Sequence, residues 1–150
     1  VHSNSFSLIR SIIKKNKDSK KIKNDLITPT KIYSSEILNL HRNKLVHACA
    51  HITGGGLIEN LLRSIPDNLS IKIDLSKIKI NKIFKWIRKK NISDKEMMKT
   101  FNCGVGFCLI VPKKNVKKIN KFFKKNYLPY EIGEIVNSSK KINLYNALKW

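Results

Sequence analysis

The clearest group of chemically competent side chains is a histidine and cysteine alternation, His47, Cys49 and His51, whose imidazole and thiol groups are usual zinc ligands. The segment Leu45–Ile52 is apolar and alternating, which predicts a buried β-strand with these three side chains on one face. On a strand that rises about 3.3 Å per residue, the two histidines lie about 13 Å apart, whereas zinc ligands lie within about 2.3 Å of one ion. We therefore predict no metal site, and we expect one histidine to face a cleft at the strand's end.

A glycine-rich loop follows this strand directly and consists of Thr53, Gly54, Gly55 and Gly56. Glycines let the backbone approach an anion closely, and the N–H groups at the start of a following helix attract negative charge. Such a loop can bind phosphate. It can equally be only a tight turn, because the sequence has neither the Lys-Ser/Thr pair of a P-loop nor the G-x-G-x-x-G order. From spacing alone both interpretations stay open.

The first residues of the chain form a second polar group, in which His2, Ser3 and Asn4 precede apolar residues at helical spacing. Ser3 or Asn4 can cap the helix that this spacing predicts. Capping does not account for His2, which is therefore a second histidine of interest. His41 falls in a polar helix end, and we expect it at the surface.

Local patterns predict helices and strands around these groups. Helical spacing of apolar residues predicts helices at 6–13, 29–40, 57–64, 80–87 and 116–123, and the capping-box spacing of Ser93 to Glu96 opens another. Apolar runs and alternation predict further strands at 69–76, 101–111, 130–136 and 142–145. The strand at 69–76 is expected to have one solvated face, formed by Ser70, Lys72, Asp74 and Ser76. Together they predict one α/β (α+β type) domain over 1–150 with a mixed β-sheet flanked by helices.

The charge of the chain comes mainly from lysine. Lysine and arginine total 31 against 10 acidic residues, and the resulting formal charge of +21 is typical of proteins that bind nucleic acid or an anionic surface. Only four basic residues are arginine, the usual residue for phosphate and base recognition. Lysine, isoleucine and asparagine all have AT-rich codons, so a drifted genome accounts for their excess without a ligand. We therefore expect neither a nucleic-acid nor a membrane partner.

Size and cysteine content favour a cytoplasmic globular protein. The chain has 150 residues, of which 41% are hydrophobic, and its longest apolar runs, such as Phe107–Val111, are far shorter than the roughly 18 to 20 residues of a membrane span. Its three cysteines lack C-x-x-C spacing, which favours a reducing compartment. The first residues include no initiator methionine or signal-peptide pattern, so we expect a chain that was processed or that begins within a longer protein.

Four ordered segments carry a more specific signal: His2–Leu8, Leu26–Tyr33, Ala50–Gly56 with the following Glu59-Asn60, and Thr100–Gly106. They resemble the C-terminal half of the aminoimidazole ribonucleotide synthetase (phosphoribosylformylglycinamidine cyclo-ligase) family. The similarity runs from Val1 to about Leu144. Selenophosphate synthetase and thiamine-monophosphate kinase share the expected architecture but match these segments much less well.

The resemblance implies an ATP-dependent ligase of de novo purine biosynthesis. Such an enzyme phosphorylates the formyl oxygen of formylglycinamidine ribonucleotide; a substrate nitrogen then attacks that carbon and phosphate leaves, which yields aminoimidazole ribonucleotide. The resemblance also implies a cytoplasmic homodimer about twice as long as this chain. Its N-terminal domain, absent from this chain, forms the dimer and holds most of the ligands of ATP and Mg²⁺.

For this sequence we expect a cleft in which His51 transfers a proton or stabilises charge, His2 lies beside it, and Asn4 orients the substrate amide. Substrate or phosphate binding is expected of Ser3, Thr53, Gly54, Gly55, Gly56, Asn60 and Asn102. No residue is expected to bind a metal.

The sequence departs from the family's pattern in three places. Ser5 stands where the family usually has glycine, the polar segment before Leu26 is shorter than usual, and residues 146–150 have no counterpart. Two other functions stay open: a nucleic-acid-binding module that uses the lysines of Lys14–Lys23 and Lys113–Lys125, or an inactive remnant of the enzyme.

Overall fold

A computed structural model describes residues 6–15, 22–124, 128–139 and 141–150 of the chain. Its helices are α1 (Phe6–Lys15), α2 (Lys23–Ile27), α3 (Ser34–Arg42), α4 (Gly56–Leu62), α5 (Lys82–Arg88), α6 (Asp94–Thr100) and α7 (Val116–Ile119). Its strands are β1 (Ala48–His51), β2 (Ser70–Asp74), β3 (Phe107–Ile110), β4 (Gly133–Val136) and β5 (Ile142–Tyr145). Short 3-10 turns cover Leu75–Lys77, Lys113–Asn115 and Asn120–Phe122.

The strands pair in two sheets. β2 is the centre of a mixed sheet, antiparallel to β4 and parallel to β5, whereas β1 and β3 form a separate antiparallel pair. The predicted α/β class with a mixed sheet is therefore confirmed, although the predicted single sheet is divided. Among the described residues, no helix has the length and hydropathy that a bilayer crossing requires.

Two groups of buried apolar side chains hold these elements together. One lies between the sheets and α4 and includes Ile52, Leu57, Leu61, Ile71 and Ile73. The other joins α1, α5 and α6 and includes Ile9, Phe84, Ile87, Met97 and Phe101. Since each fully buried side chain of this size contributes about 1.5–3 kcal/mol, these groups dominate the stability of the fold.

The predicted start of α6 is confirmed. Ser93 Oγ accepts a hydrogen bond from the Glu96 N–H at 3.2 Å, which is the first half of a capping box. The Glu96 carboxylate accepts from Thr100 Oγ1 at 2.8 Å instead of reaching back to Ser93. The pair of Arg88 with Asp94 then connects α5 to the first turn of α6.

The solvated face predicted for β2 is wrong at both ends of the strand. Ser70 is 1% exposed and donates to Ser138 O, and Asp74 is 9% exposed and accepts from Ser76 and Asn146. These hydrogen bonds hold the pKa of Asp74 below its usual value, and the one from the Ser76 side chain has the largest effect. β2 is the central strand and both of its faces are largely buried, so hydrogen bonds compensate for the buried polar groups.

Two other predicted strands are shorter in the structure. The strand predicted at 101–111 begins only at Phe107, because Cys103 and Gly104 have φ angles of +49° and +103° and form a turn. The strand predicted at 45–52 is regular only from Ala48 to His51, and one of its faces is exposed, not buried. The helix expected from Pro29 begins at Ser34.

Candidate functional site

His51 is the last residue of β1, one residue before the predicted end of the strand, and its side chain is exposed. Its register partner across the sheet is Phe107, and the two rings stack with centroids 5.7 Å apart. Tyr33 lies edge-on to the imidazole at 6.1 Å and packs against Phe107 at 5.1 Å. The rings of Phe107, on β3, and of Tyr33, just before α3, therefore fix the position of an imidazole that is exposed to solvent.

The alternation along β1 separates polar from apolar side chains as predicted. His47, Cys49 and His51 are exposed, whereas Ala50 and Ile52 are buried on the other face. Within the described ranges, no three His, Cys, Asp or Glu side chains come together in a way that could hold a metal ion.

The two remaining cysteines have no catalytic part that the structure supports. Cys103 and Cys108 are buried, and burial raises the pKa of each thiol to about 12. A thiol with such a pKa stays protonated near neutral pH and is a poor nucleophile. The titratable groups that this face exposes are therefore those of His47, Cys49 and His51, and His51 is the one nearest to the glycine loop in the chain.

The glycine loop turns the chain from β1 into α4. The Gly56 N–H donates to Thr53 O at 3.1 Å, and Gly55 has a φ angle of +86°. No carbonyl in the described part of the chain accepts a hydrogen bond from the Gly54 or Gly55 N–H. The space beside Gly54 is open, with no atom within 4 Å of a Cβ built there. The loop is therefore a closed turn with donors available on its Gly54 side.

Asn60 lies one turn further along α4, and its side chain binds the glycine loop. Its side-chain amide donates to Gly54 O at 3.0 Å and to Gly56 O at 2.7 Å, so it binds the loop's own carbonyls. These bonds hold the shape of the loop, and the predicted contact of Asn60 with substrate or phosphate stays a prediction.

Removal of this amide is expected to weaken the loop. Asn60→Ala loses two hydrogen bonds, an exposed one to Gly54 O and a half-buried one to Gly56 O, and we expect a loss of about 1–3 kcal/mol in the free energy of unfolding, measured with urea. The matched control is Asn43→Ala, which removes one exposed amide-to-carbonyl bond, to Asn39 O, and should change stability by less than about 0.5 kcal/mol. Equal losses in the two variants would contradict the positioning role.

Glu59 is a neighbour of the loop to which the sequence analysis gave no part in the site. Its carboxylate lies over the Gly55 Cα, where a Cβ would overlap Glu59 Oε2, and it pairs with Arg63 at 3.6 Å. A carboxylate near a helix start is favoured by the helix dipole. An anion on the Gly55 side would meet this charge, so the Gly54 side is the more favourable position for a phosphate.

Asn102 is buried at 8% exposure, and its side chain stabilises a turn. Its Oδ1 accepts from the Gly104 N–H at 3.1 Å, and its carbonyl accepts from Val105. The same turn reaches the end of β1, because Gly106 O accepts from the Ile52 N–H at 3.0 Å. Asn102 thus supports the backbone next to the loop, and its predicted contact with substrate stays a prediction.

Three predicted site residues, His2, Ser3 and Asn4, lie outside the described residues. A cavity of about 1030 Å³ opens between β3 and β4 and adjoins Tyr33, His47 and Phe107 at one end. The glycine loop does not line this cavity. His51 is not among its lining residues either, and along the chain the exposed imidazole of His51 precedes the open side of the loop, at Gly54, by three residues.

Comparison with known proteins covers almost the whole chain. Residues 1–144 match the family described as "AIR synthase related protein, C-terminal domain". The chain is 40% identical over 148 residues to a phosphoribosylformylglycinamidine cyclo-ligase of Lactobacillus helveticus. The alignment covers 90% of this chain and 42% of the relative. A protein of the same name from Prochlorococcus marinus is 39% identical over 160 residues, with 97% and 46% coverage.

A multifunctional relative matches too. The chain is 38% identical over 163 residues to the trifunctional purine biosynthetic protein adenosine-3 of Gallus gallus, with 99% of this chain and 16% of the relative aligned. The chain thus spans less than half the length of each of these relatives.

Proposed function

The chain belongs to the family of AIR synthase related proteins, whose C-terminal domain it represents, and we propose that it is the C-terminal part of an ATP-dependent phosphoribosylformylglycinamidine cyclo-ligase. The observation that carries the proposal is the match of residues 1–144 to this family, together with about 40% identity to relatives that bear this name. The exposed His51 and the open side of the glycine loop supply groups that such a reaction needs.

In the proposed reaction, the formyl oxygen of formylglycinamidine ribonucleotide attacks the γ-phosphorus of ATP and ADP leaves. A substrate nitrogen then bonds to the activated carbon, the C–O bond to phosphate breaks, and the nitrogen loses a proton. We assign that proton to His51, because imidazole titrates near neutral pH and this ring is exposed at the strand's end. The N–H groups of Gly54 and Gly55 would hold a phosphate of substrate or nucleotide.

The remaining parts of the proposal concern residues beyond those described. Mg²⁺ neutralises phosphate charge and polarises phosphoryl oxygen when it accompanies ATP. We propose, as the resemblance implies, that an N-terminal domain of the longer protein holds the ligands of Mg²⁺, most ATP contacts and the dimer interface. His2 and Asn4 are proposed to line the same cleft as His51, and the enzyme is proposed to act in the cytoplasm.

The test is the activity of the longer protein that contains this chain. We expect ATP-dependent formation of aminoimidazole ribonucleotide from formylglycinamidine ribonucleotide, with release of ADP and phosphate. Gly54→Leu places a side chain in open space on the proposed phosphate side, so KM should rise about tenfold while the unfolding midpoint stays the same. No product from the folded wild-type protein would instead indicate a remnant, and an unchanged KM would reject the loop as the phosphate site.

A further inference from the structure

One side of the segment that follows β3 is formed by lysines. A 3-10 turn (Lys113–Asn115), α7 and a second 3-10 turn (Asn120–Phe122) make one continuous helical stretch. Spacings of three and four residues place Lys113, Lys114, Lys117, Lys118 and Lys121 along one side of the stretch; Lys124 lies two residues beyond its end, and all six are exposed. We call this surface the lysine face; it consists of Lys113, Lys114, Lys117, Lys118, Lys121 and Lys124.

The lysine face has no compensating negative charge. The sequence contains no acidic residue between Glu96 and Glu131, and in the described part of the chain no carboxylate pairs with any lysine of the face. Other lysines of the chain do pair with acids, as Lys72 does with Glu134 and Lys141 with Asp67. Codon bias raises the lysine count, but it does not by itself keep one surface free of acids.

This arrangement works against the local helix. Lysines four residues apart, such as Lys113 and Lys117, repel each other along the stretch. A polyanion that spans several of these ammonium groups would relieve the repulsion and would therefore bind favourably.

The apolar side chains of the same stretch decide which polyanion fits. Val116, Ile119, Phe122 and Phe123 are buried or half-buried, and Asn115 Nδ2 donates to Leu45 O, which fixes the stretch to the body of the domain. Because an amphipathic helix binds a bilayer by inserting an exposed apolar face, this stretch is poorly suited to lipid. A nucleic acid needs only a row of positive charge along its phosphates.

We propose that the lysine face binds the phosphate backbone of a nucleic acid without sequence preference. This activity is additional to the proposed cyclo-ligase reaction. It differs from the expectation, based on composition, that the protein has no nucleic-acid partner. It uses none of the residues assigned to the reaction. Contact with about six phosphates implies an affinity that depends steeply on salt.

The test is fluorescence anisotropy of a labelled 20-nucleotide RNA of mixed sequence with the full protein between 50 and 200 mM KCl. We expect the logarithm of the association constant to fall with the logarithm of salt at a slope of about −4, a loss of a few hundredfold over this range. Replacing all six lysines of the face with Gln, whose helix propensity is similar, should abolish most of the slope.

The matched control removes the same charge from exposed lysines elsewhere: Lys14, Lys82, Lys89, Lys95, Lys99 and Lys149 are changed to Gln. This variant should keep at least three quarters of the wild-type slope. Equal loss in both variants would show that only net charge matters and would overturn the proposal, as would tighter binding to phosphatidylserine vesicles than to RNA. If the sixfold variant does not fold by circular dichroism, the triple change at Lys117, Lys118 and Lys121 should halve the slope, and an unchanged slope would also overturn the proposal.

Discussion

Gly56→Ala is expected to lower the free energy of unfolding by about 2–5 kcal/mol. Gly56 is buried at the first position of α4 with a φ angle of +64°, a conformation that costs a residue with a Cβ about 1–2 kcal/mol. A Cβ there would also overlap the Met98 carbonyl of α6, and forced overpacking typically costs a further 1–3 kcal/mol. The measurement is equilibrium unfolding in urea, read as a shift in midpoint at constant slope.

Gly54→Ala is the matched control, because it lies in the same loop and has no atom within 4 Å of its would-be Cβ. Its stability should stay within about 0.5 kcal/mol of the wild-type value. The contrast separates the two uses of glycine in this loop: Gly56 permits close packing of α4 on α6, whereas Gly54 leaves space for a ligand. Similar stability of the two variants would mean that α4 and α6 do not approach each other as closely as the structure shows.

Local patterns were sufficient to predict the parts of the site that depend on near neighbours in the chain. The alternation in β1 placed His51 at the exposed end of a strand, and the glycines before an apolar helical segment predicted the turn into α4. The Ser93 cap of α6 was predictable for the same reason, since Ser93 and Glu96 are three residues apart. Each of these features depends on contacts within a few residues.

Features that depend on distant contacts were not predictable in this way. Alternation in β2 identifies two faces, but it does not predict that Ser70 and Asp74 become buried and bind Ser138 and Asn146, which lie about 70 residues further along the chain. Likewise, the sequence around Gly104 is compatible with a strand. In the structure Lys79 O lies 2.5 Å from a Cβ built at Gly104, so the two backbones approach closely where the chain turns.

The site residue with the largest predicted kinetic effect is His51. In the longer protein, His51→Ala is expected to lower kcat by about 10²–10⁴, the usual contribution of a general acid or base, with a much smaller change in KM. Its ring stacks on Phe107 at the surface, so its removal should leave stability within about 1 kcal/mol of the wild-type value.

His47→Ala is the matched control for this prediction. His47 is exposed on the same face as His51, but it lies four residues earlier in the chain and therefore further from the loop. If proximity to the glycine loop is what makes an imidazole of this face catalytic, only the loss of His51 should affect kcat. A single-turnover measurement separates catalysis from simple binding, since the rate of the chemical step should fall in His51→Ala and stay the same in His47→Ala. A His51→Ala enzyme with near-normal kcat would assign the proton transfer to another residue, and His2 would then be the next histidine to replace.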